Sequence, residues 1–295
     1  MPDWTLGIDV ARWQGVLKMS AVLNARPVDA TGKLALDKPV RYVAIKATHG
    51  TNPTPDPKFA VNAANSAGVI RRGFYFWFVP TQDPIQQADN FVDITKSFSL
   101  PNDLRSWIDF EEDCPPLRGS AIRERFRSCV ERVEDRTGRQ LTVYTGKYFW
   151  QLTCADEDDP WIAGRSLAHA EYRGRVPRDN EAPNIAKPWA IRGIRETFWQ
   201  FDGDRDLYLP KECGETGSPI DSDFDRFNGD EGELGEFCAN GVIPLPRPFD
   251  PGTDPNWQPQ TSVHTALPSL FPSPEDQPAT DPQTPASKSI APLKR

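Results

Sequence analysis

Trp107-Ile108-Asp109-Phe110-Glu111-Glu112 is an apolar run that ends in carboxylates. In a β-strand successive side chains point to opposite faces, so Asp109 and Glu111 project to one side and Phe110 to the other. Two neighbouring acids cannot both ionise freely, because repulsion between like charges raises the pKa of one of them. A protonated acid beside a charged carboxylate is the pair that cleavage of a glycosidic bond requires. Isolated acidic strand ends are more often simply solvated, so this interpretation depends on the rest of the chain.

Strands alternate with helices on both sides of this stretch. The pattern predicts helices over 58–67, 84–98 and 122–137, and strands over 6–10, 42–47, 70–78, 107–109, 141–144, 167–170 and 196–201. Such alternation indicates right-handed βαβ units around a mostly parallel sheet or barrel. The number of repeats favours the α/β class and an irregular (β/α) TIM-like barrel, which carries its chemistry at the C-terminal ends of its strands. Asp9, Asp109 and Glu111 all occupy such ends.

The composition argues against several classes of protein. A formal net charge of −8 argues against nucleic acid as the main partner. No apolar run approaches the roughly 18 residues of a membrane span, so stable membrane insertion is not expected. The stretch from Met1 to Gly7 has no basic segment followed by an apolar one, and no signal peptide is therefore predicted.

The chain is predicted to divide near residue 243. Residues 1–243 would form the barrel, whereas 244–295 hold 13 of the 30 prolines. A segment of that composition buries too little apolar area to offset its ordering entropy, so a flexible Pro-rich tail is expected. The five cysteines are scattered without a Cys-x-x-Cys pair, which makes a zinc site improbable. Their odd number leaves at least one thiol free, and a Cys213–Cys238 bridge remains an open alternative.

Six short motifs follow one another between residues 6 and 229. They read Gly7-Ile8-Asp9-Val10-Ala11-Arg12-Trp13-Gln14-Gly15, Tyr42-Val43-Ala44-Ile45-Lys46-Ala47-Thr48, Asp109-Phe110-Glu111, Val143-Tyr144-Thr145 with Trp150, Trp199-Gln200-Phe201, and Asp223-Phe224-Asp225-Arg226-Phe227-Asn228-Gly229. Any one of these motifs alone is weak evidence for a family. In this order, together they resemble the family 25 glycoside hydrolases, the Chalaropsis-type lysozymes.

The resemblance implies an N-acetylmuramidase that cuts the β-1,4 bond between N-acetylmuramic acid and N-acetylglucosamine in peptidoglycan. Glu111 would be the proton donor. Asp109 would orient the 2-acetamido group of the substrate or, in the competing description, act as a base on water. Asp9 and Asp223 would complete a ring of four acids. No cofactor or metal is implied, because the chemistry runs on carboxylates alone.

Asp221, Asp223 and Asp225 alternate along the chain, which leaves Asp221 as an alternative to Asp223. Acids at this spacing also suggest a calcium loop, but Arg226 stands where the EF-hand pattern needs glycine. Calcium is therefore not expected.

Flat side chains at strand ends are candidates for contact with the apolar faces of sugar rings. The predicted substrate-binding residues are Tyr75, Trp77, Tyr144, Trp199 and Lys46. The alternative for each aromatic residue is a place in the core of the barrel.

Departures from the family pattern concern groove shape and pH response. His49 stands where many members have glutamate, Phe76-Trp77 replaces a histidine and a phenylalanine, and Asp225 replaces an asparagine. His49 could charge near pH 6 to 7, although a surface role is the simpler interpretation.

The sequence predicts a monomeric enzyme of a phage or prophage, an endolysin made in the cytoplasm that acts on the bacterial cell wall after release by the phage or secretion by an unconventional route. Two alternatives belong to other classes of protein. One is a catalytically silent wall-binding module, and the other is a virion-associated structural protein attached through its Pro-rich tail.

Overall fold

The computed structural model describes residues 4–112, 114, 117–154, 158–179, 181–193, 196–203 and 206–240. Its barrel strands are β1 (Thr5–Val10), β2 (Val40–His49), β3 (Arg71–Trp77), β4 (Trp107–Asp109), β5 (Thr142–Gly146), β6 (Ser166–Ala170), β7 (Phe198–Asp202) and β10 (Asp223–Phe227). Two short strands, β8 (Tyr208–Leu209) and β9 (Ile220–Asp221), pair separately. The barrel is closed in the order β1-β10-β7-β6-β5-β4-β3-β2.

The helices of the described residues are α1 (Met19–Val22), α2 (Phe59–Ser66), α3 (Pro84–Thr95), α4 (Ser120–Thr137), α5 (Lys147–Cys154), α6 (Pro160–Ala163), α7 (Lys187–Ala190) and α8 (Glu231–Asn240). Local chemistry explains where the longer ones begin and end. Asp83 accepts the backbone N–H groups of Ile85 and Gln86 at the start of α3, where Pro84 lacks an N–H to satisfy. Gly138 ends α4 with a φ of 67°.

Neighbouring strands from β1 through β7 run parallel, and this confirms the predicted α/β barrel. β10 is the exception, since it pairs antiparallel with both β1 and β7 and thereby closes the barrel. The sequence analysis assigned no strand to this segment. Its alternating acids are typical of a loop. In the structure, however, Phe224 and Arg226 are buried on the face of β10 that lies opposite these acids.

Aromatic side chains fill the interior at one end of the barrel. Phe198 and Phe227 meet there, and Phe237 of α8 packs on both with ring centroids 5.5 and 5.9 Å away. Above them Tyr42 passes so close to Gly7 that a Cβ on Gly7 would lie 2.1 Å from Cζ of the ring. Glycine is therefore needed at this position to admit the tyrosine. This end of the barrel interior is filled, and a cavity lies at the other end, where the parallel strands have their C-terminal ends.

Three other expectations concern the cysteines, membrane insertion and the C-terminal tail. Cys213 and Cys238 each carry a free, buried thiol, so the alternative of a bridge between them is wrong. No helix within the described ranges is both long and apolar enough to cross a membrane. The boundary near residue 243 and the tail 244–295 lie outside the described residues and stay predictions.

Candidate active site

A cavity of about 220 Å³ lies where the C-terminal ends of the parallel strands meet. It is called the acid cleft here, and its lining comprises Asp9, Ala11, Trp13, Gln14, Lys46, Tyr75, Trp77, Trp107, Asp109, Glu111, Tyr144, Gln200 and Asp223. Eight of the nine predicted site residues are in this lining. They come from positions far apart in the chain and meet because the barrel brings their strand ends together.

Strand register positions the four acids. Asp9 and Asp223 are direct partners across the antiparallel β1–β10 pair. Asp109 ends β4, and Glu111 follows it after one residue, so both point into the cleft while Phe110 packs outward on Phe126. Asp221 is exposed and lines a different cavity. The geometry thus brings Asp223, not Asp221, to the other three acids.

Burial and mutual repulsion raise the pKa values of the central pair. The pKa of Glu111 rises to about 7, first because burial disfavours its charged form and then because of Asp9, while Lys46 opposes the shift. The pKa of Asp109 is raised well above its usual range by burial, followed by Glu111, with Lys46 again opposing. The sequence predicted that one acid stays charged. In the cleft burial raises the pKa of both acids, and it is the largest cause of both shifts.

Asp9 is held by a chain of hydrogen bonds that runs through Gln200 to two tyrosines. Gln200 donates from Nε2 to Asp9 Oδ2 over 2.6 Å. The amide oxygen of Gln200 in turn accepts a bond of 2.7 Å from the Tyr144 hydroxyl and another from the Tyr172 hydroxyl. Both tyrosines are donors, so the amide is fixed with its N–H toward Asp9. This orients the Asp9 carboxyl in the cleft.

The wall of the cleft formed by β2 and β3 combines a cation with aromatic rings. Lys46 Nζ lies 4.5 Å from the ring centroid of Trp77 and 5.7 Å from that of Tyr75. Trp77 donates from Nε1 to Glu112 Oε2 over 2.7 Å, which fixes the indole at the rim of the cleft. Lys46 is the one basic residue among the described residues of the lining, and it offsets part of the acidic charge.

Trp199 does not reach the cleft, so its predicted contact with substrate is wrong in this structure. It is fully buried in the core outside the barrel and donates from Nε1 to the backbone oxygen of Glu171 over 2.9 Å. Gln200, its neighbour, faces inward instead. β7 is buried on both faces, so burial alone does not show which of its residues point into the barrel.

The sequence analysis also missed Trp13 and Trp107 as cleft residues. Trp13 is 77% exposed at the mouth, and Arg12 lies over its ring with Cζ 4.3 Å from the centroid. Its place in the first motif was the available signal. Trp107 is 2% exposed, and strand alternation puts it on the same face as Asp109, so it forms part of the cleft lining.

Asp225 lies one inward-facing position below Asp223 on β10. It is fully buried, and neither carboxyl oxygen has a hydrogen-bond partner. Burial, followed by Asp9 and Asp223, raises the pKa of Asp225 well above its usual range. Burial in the barrel thus favours the uncharged form of this carboxyl, in keeping with the asparagine that the family pattern has here.

His49 stacks on Trp77 with ring centroids 5.5 Å apart and planes 8° from parallel. Burial and then Lys46 lower the pKa of His49, so it is neutral at pH 7. Within the described part of the chain, no group of three or more His, Cys, Asp or Glu residues is arranged to hold a metal ion.

A closed β/α barrel with paired, partly protonated carboxyls in a cleft with aromatic walls is the site of a glycoside hydrolase. The chain belongs to the glycosyl hydrolases family 25, whose family model matches residues 8–207. It is a muramidase by class and acts as a peptidoglycan hydrolase.

Relatives agree in sequence and in fold. Lysozyme M1 of Streptomyces globisporus is 27% identical over 244 residues, which cover 79% of this chain and 71% of that protein. The bacterial lysozyme of Streptomyces coelicolor has the same fold, with a TM-score of 0.63 and 24% identity over 82% of this chain and all of that one. The catalytic domain of endolysin ply40 from bacteriophage P40 of Listeria monocytogenes gives a TM-score of 0.54 and 18% identity over 81% of this chain and 99% of that one.

Proposed function

We propose that the enzyme hydrolyses the β-1,4 bond between N-acetylmuramic acid and N-acetylglucosamine, with Glu111 as proton donor. The observation that carries this proposal is the position of Glu111 in the acid cleft, where its pKa of about 7 keeps it protonated up to neutral pH. A general acid works best when its pKa lies near the working pH. Among the four acids, Glu111 follows β4 on a short loop and can reach the glycosidic oxygen.

Asp109 is proposed to act through the 2-acetamido group of the substrate. Its Oδ1 is buried and has no partner in the protein, so it can accept the acetamido N–H. Glu111 gives its proton to the leaving oxygen while the acetamido carbonyl oxygen attacks the anomeric carbon, forming an oxazolinium ion and freeing the leaving sugar. The ionised Glu111 then takes a proton from the water that opens this ring. The negative charge of Asp109, with Lys46 nearby, stabilises the cation between the two steps.

The remaining lining residues would hold the glycan. Trp77, Tyr75 and Tyr144 offer ring faces and hydroxyls at the wall, and Asp9 and Asp223 add negative charge opposite β4. An oxocarbenium-like transition state is positive, so a cleft with several carboxylates binds it more tightly than it binds the neutral sugar.

The central test compares wild type with Glu111→Gln on purified peptidoglycan, with muropeptides identified by mass spectrometry. Loss of the proton donor should lower the rate by about 10²- to 10⁴-fold. Glu131→Gln, on the exposed face of α4, is the matched control and should keep the wild-type rate. Products that end in reducing N-acetylmuramic acid support the proposal. Absence of products from the wild type would point to a wall-binding module.

The stereochemistry of the product separates the two routes. Attack by the acetamido oxygen followed by water inverts the anomeric carbon twice, so the β configuration is retained. Direct attack by water, with Asp109 as base, would invert it once and give the α product. NMR of the first product formed, before mutarotation, distinguishes them, and an α product would refute the assisted route.

We further propose that the enzyme is a monomeric phage or prophage endolysin, made in the cytoplasm and released to the cell wall. The support is that the catalytic domain of a bacteriophage endolysin is among the solved structures with this fold. Expression in the bacterial cytoplasm should leave cells intact until a holin is co-expressed. Lysis without the holin, or a dimer in sedimentation, would contradict this proposal.

A further inference from the structure

A second cavity of about 420 Å³ adjoins the acid cleft and shares Ala11, Trp13 and Lys46 with it. It is called the side pocket here. Arg12, Thr48 and His49 belong to its lining but not to that of the cleft. A substituent on a sugar ring in the cleft could therefore enter the side pocket by passing between Trp13 and Lys46.

The side pocket differs from the cleft in charge. Arg12 and Lys46 contribute two permanent cations, whereas Asp56 is the acid of its described lining. The Asp56 carboxylate accepts the backbone N–H groups of Arg12 over 3.2 Å and of Lys58 over 2.9 Å, so its oxygens are already engaged. Two cations against one acid give the described lining a net positive charge, in a chain whose formal net charge is −8. Such a lining favours an anionic ligand.

Local structure holds these groups in place before a ligand binds. The Arg12 guanidinium lies 4.3 Å from the ring centroid of Trp13. The register of β2 against β3 shifts between Lys46 and Thr48, which places His49 opposite Trp77 at the rim instead of turning it away. A preorganised cation loses less side-chain entropy on binding than a free one.

Thr48 supplies an independent indication of a ligand. It is 1% exposed and lines the side pocket, yet its hydroxyl has no hydrogen-bond partner in the protein. A buried hydroxyl without a partner costs free energy, so a polar group is expected to meet it when the pocket is filled.

We propose that the side pocket binds a carboxylate of the peptide carried by N-acetylmuramic acid, and that the enzyme therefore prefers peptide-bearing glycan. The inference rests on the proposed function, because that function places a muramic acid residue in the adjoining cleft. The peptide branches from the lactyl group of this sugar and carries free carboxylates. Arg12 would pair with a carboxylate, and the Thr48 hydroxyl would donate to it.

The test measures the initial rate of reducing-end release from two substrates. One is purified peptidoglycan, and the other is the same glycan stripped of its peptides by an N-acetylmuramoyl-L-alanine amidase. The measured quantity is the ratio of kcat/KM on the first to that on the second. We expect the wild-type ratio to exceed one and Arg12→Gln to lower it by about 2- to 5-fold, as for the loss of an ion pair at an exposed site that solvent screens.

Thr48→Val and Lys33→Gln complete the set. Thr48→Val removes a hydroxyl that bonds nothing in the protein, so it should lower the ratio without lowering stability. Lys33 is exposed and lines neither cavity, and its variant should keep the wild-type ratio although it loses the same charge. A wild-type ratio near one, or a ratio unchanged in Arg12→Gln and Thr48→Val, would overturn the proposal. If the wild type hydrolyses neither of the two glycans, the proposed function itself is refuted.

Discussion

Replacing Asp225 with asparagine should stabilise the protein, increasingly so as the pH rises. Asp225 is fully buried and neither carboxyl oxygen has a hydrogen-bond partner, so the folded state raises its pKa well above the usual range. In the unfolded chain an aspartate ionises above about pH 4. Because the folded pKa is the higher one, stability is fully present below the unfolded pKa and is lost as the pH rises toward the folded pKa.

The magnitude follows from linkage. Each pH unit between the two pKa values removes about 1.4 kcal/mol from the wild type's free energy of unfolding. Asparagine has the same shape and does not ionise, so the variant escapes this loss. As the pH rises from 5 toward the folded pKa, the stability difference between Asp225→Asn and wild type should therefore grow steadily. Asp109 and Glu111 also titrate, but they do so in both proteins and largely cancel in the difference.

Urea unfolding followed by tryptophan fluorescence at pH 5, 6 and 7 and constant ionic strength measures this difference. Asp135→Asn is the control, since Asp135 is exposed on α4, and it should track the wild type at every pH. Parallel stability curves for Asp225→Asn and wild type would refute the reasoning. They would show that Asp225 is ionised inside the barrel and paired with a cation.

Three further expectations concern the cleft and the barrel. The rate of hydrolysis should fall as the pH rises above about 7, because Glu111 loses the proton that it must donate, and a pH–rate profile that stays flat to pH 9 would contradict this. Lys46→Met should move this decline to higher pH, because Lys46 lowers the pKa of both Glu111 and Asp109, and a decline at lower pH would count against that role. Gly7→Ala should cost about 3 kcal/mol or more in urea unfolding, since the new Cβ would lie 2.1 Å from the Tyr42 ring. An unchanged urea midpoint would mean that Tyr42 does not fill the barrel as described.

Much of the fold was predictable because it is written in short-range patterns. The helical spacing over 84–95 and the Asp83 cap define α3, and apolar runs that end in acids define β1 and β4. Asp9, Asp109 and Glu111 could be assigned to strand ends because the side-chain period of a strand is local. The order of the six motifs then pointed to the family.

Other features could not be predicted from local pattern. Residues 223–227 have the composition of an acidic loop, and they become a strand only because β1 and β7 offer their edges to it. Asp225 is buried as a result, and its pKa is raised. Whether Trp199 or Gln200 faces the cleft depends on which face of β7 lies inside the closed barrel.

The sequence by itself determined the elements, their order and the acids at their ends, since these depend on neighbours a few residues apart. Only the tertiary structure decided which face of each strand points inward, which aspartate joins the cleft and where Arg12, Trp13 and Thr48 meet Lys46. The physical reason is that alternation relates a side chain to its neighbours on the same strand. Closure of the barrel, which depends on contacts across the whole chain, relates that strand to the interior.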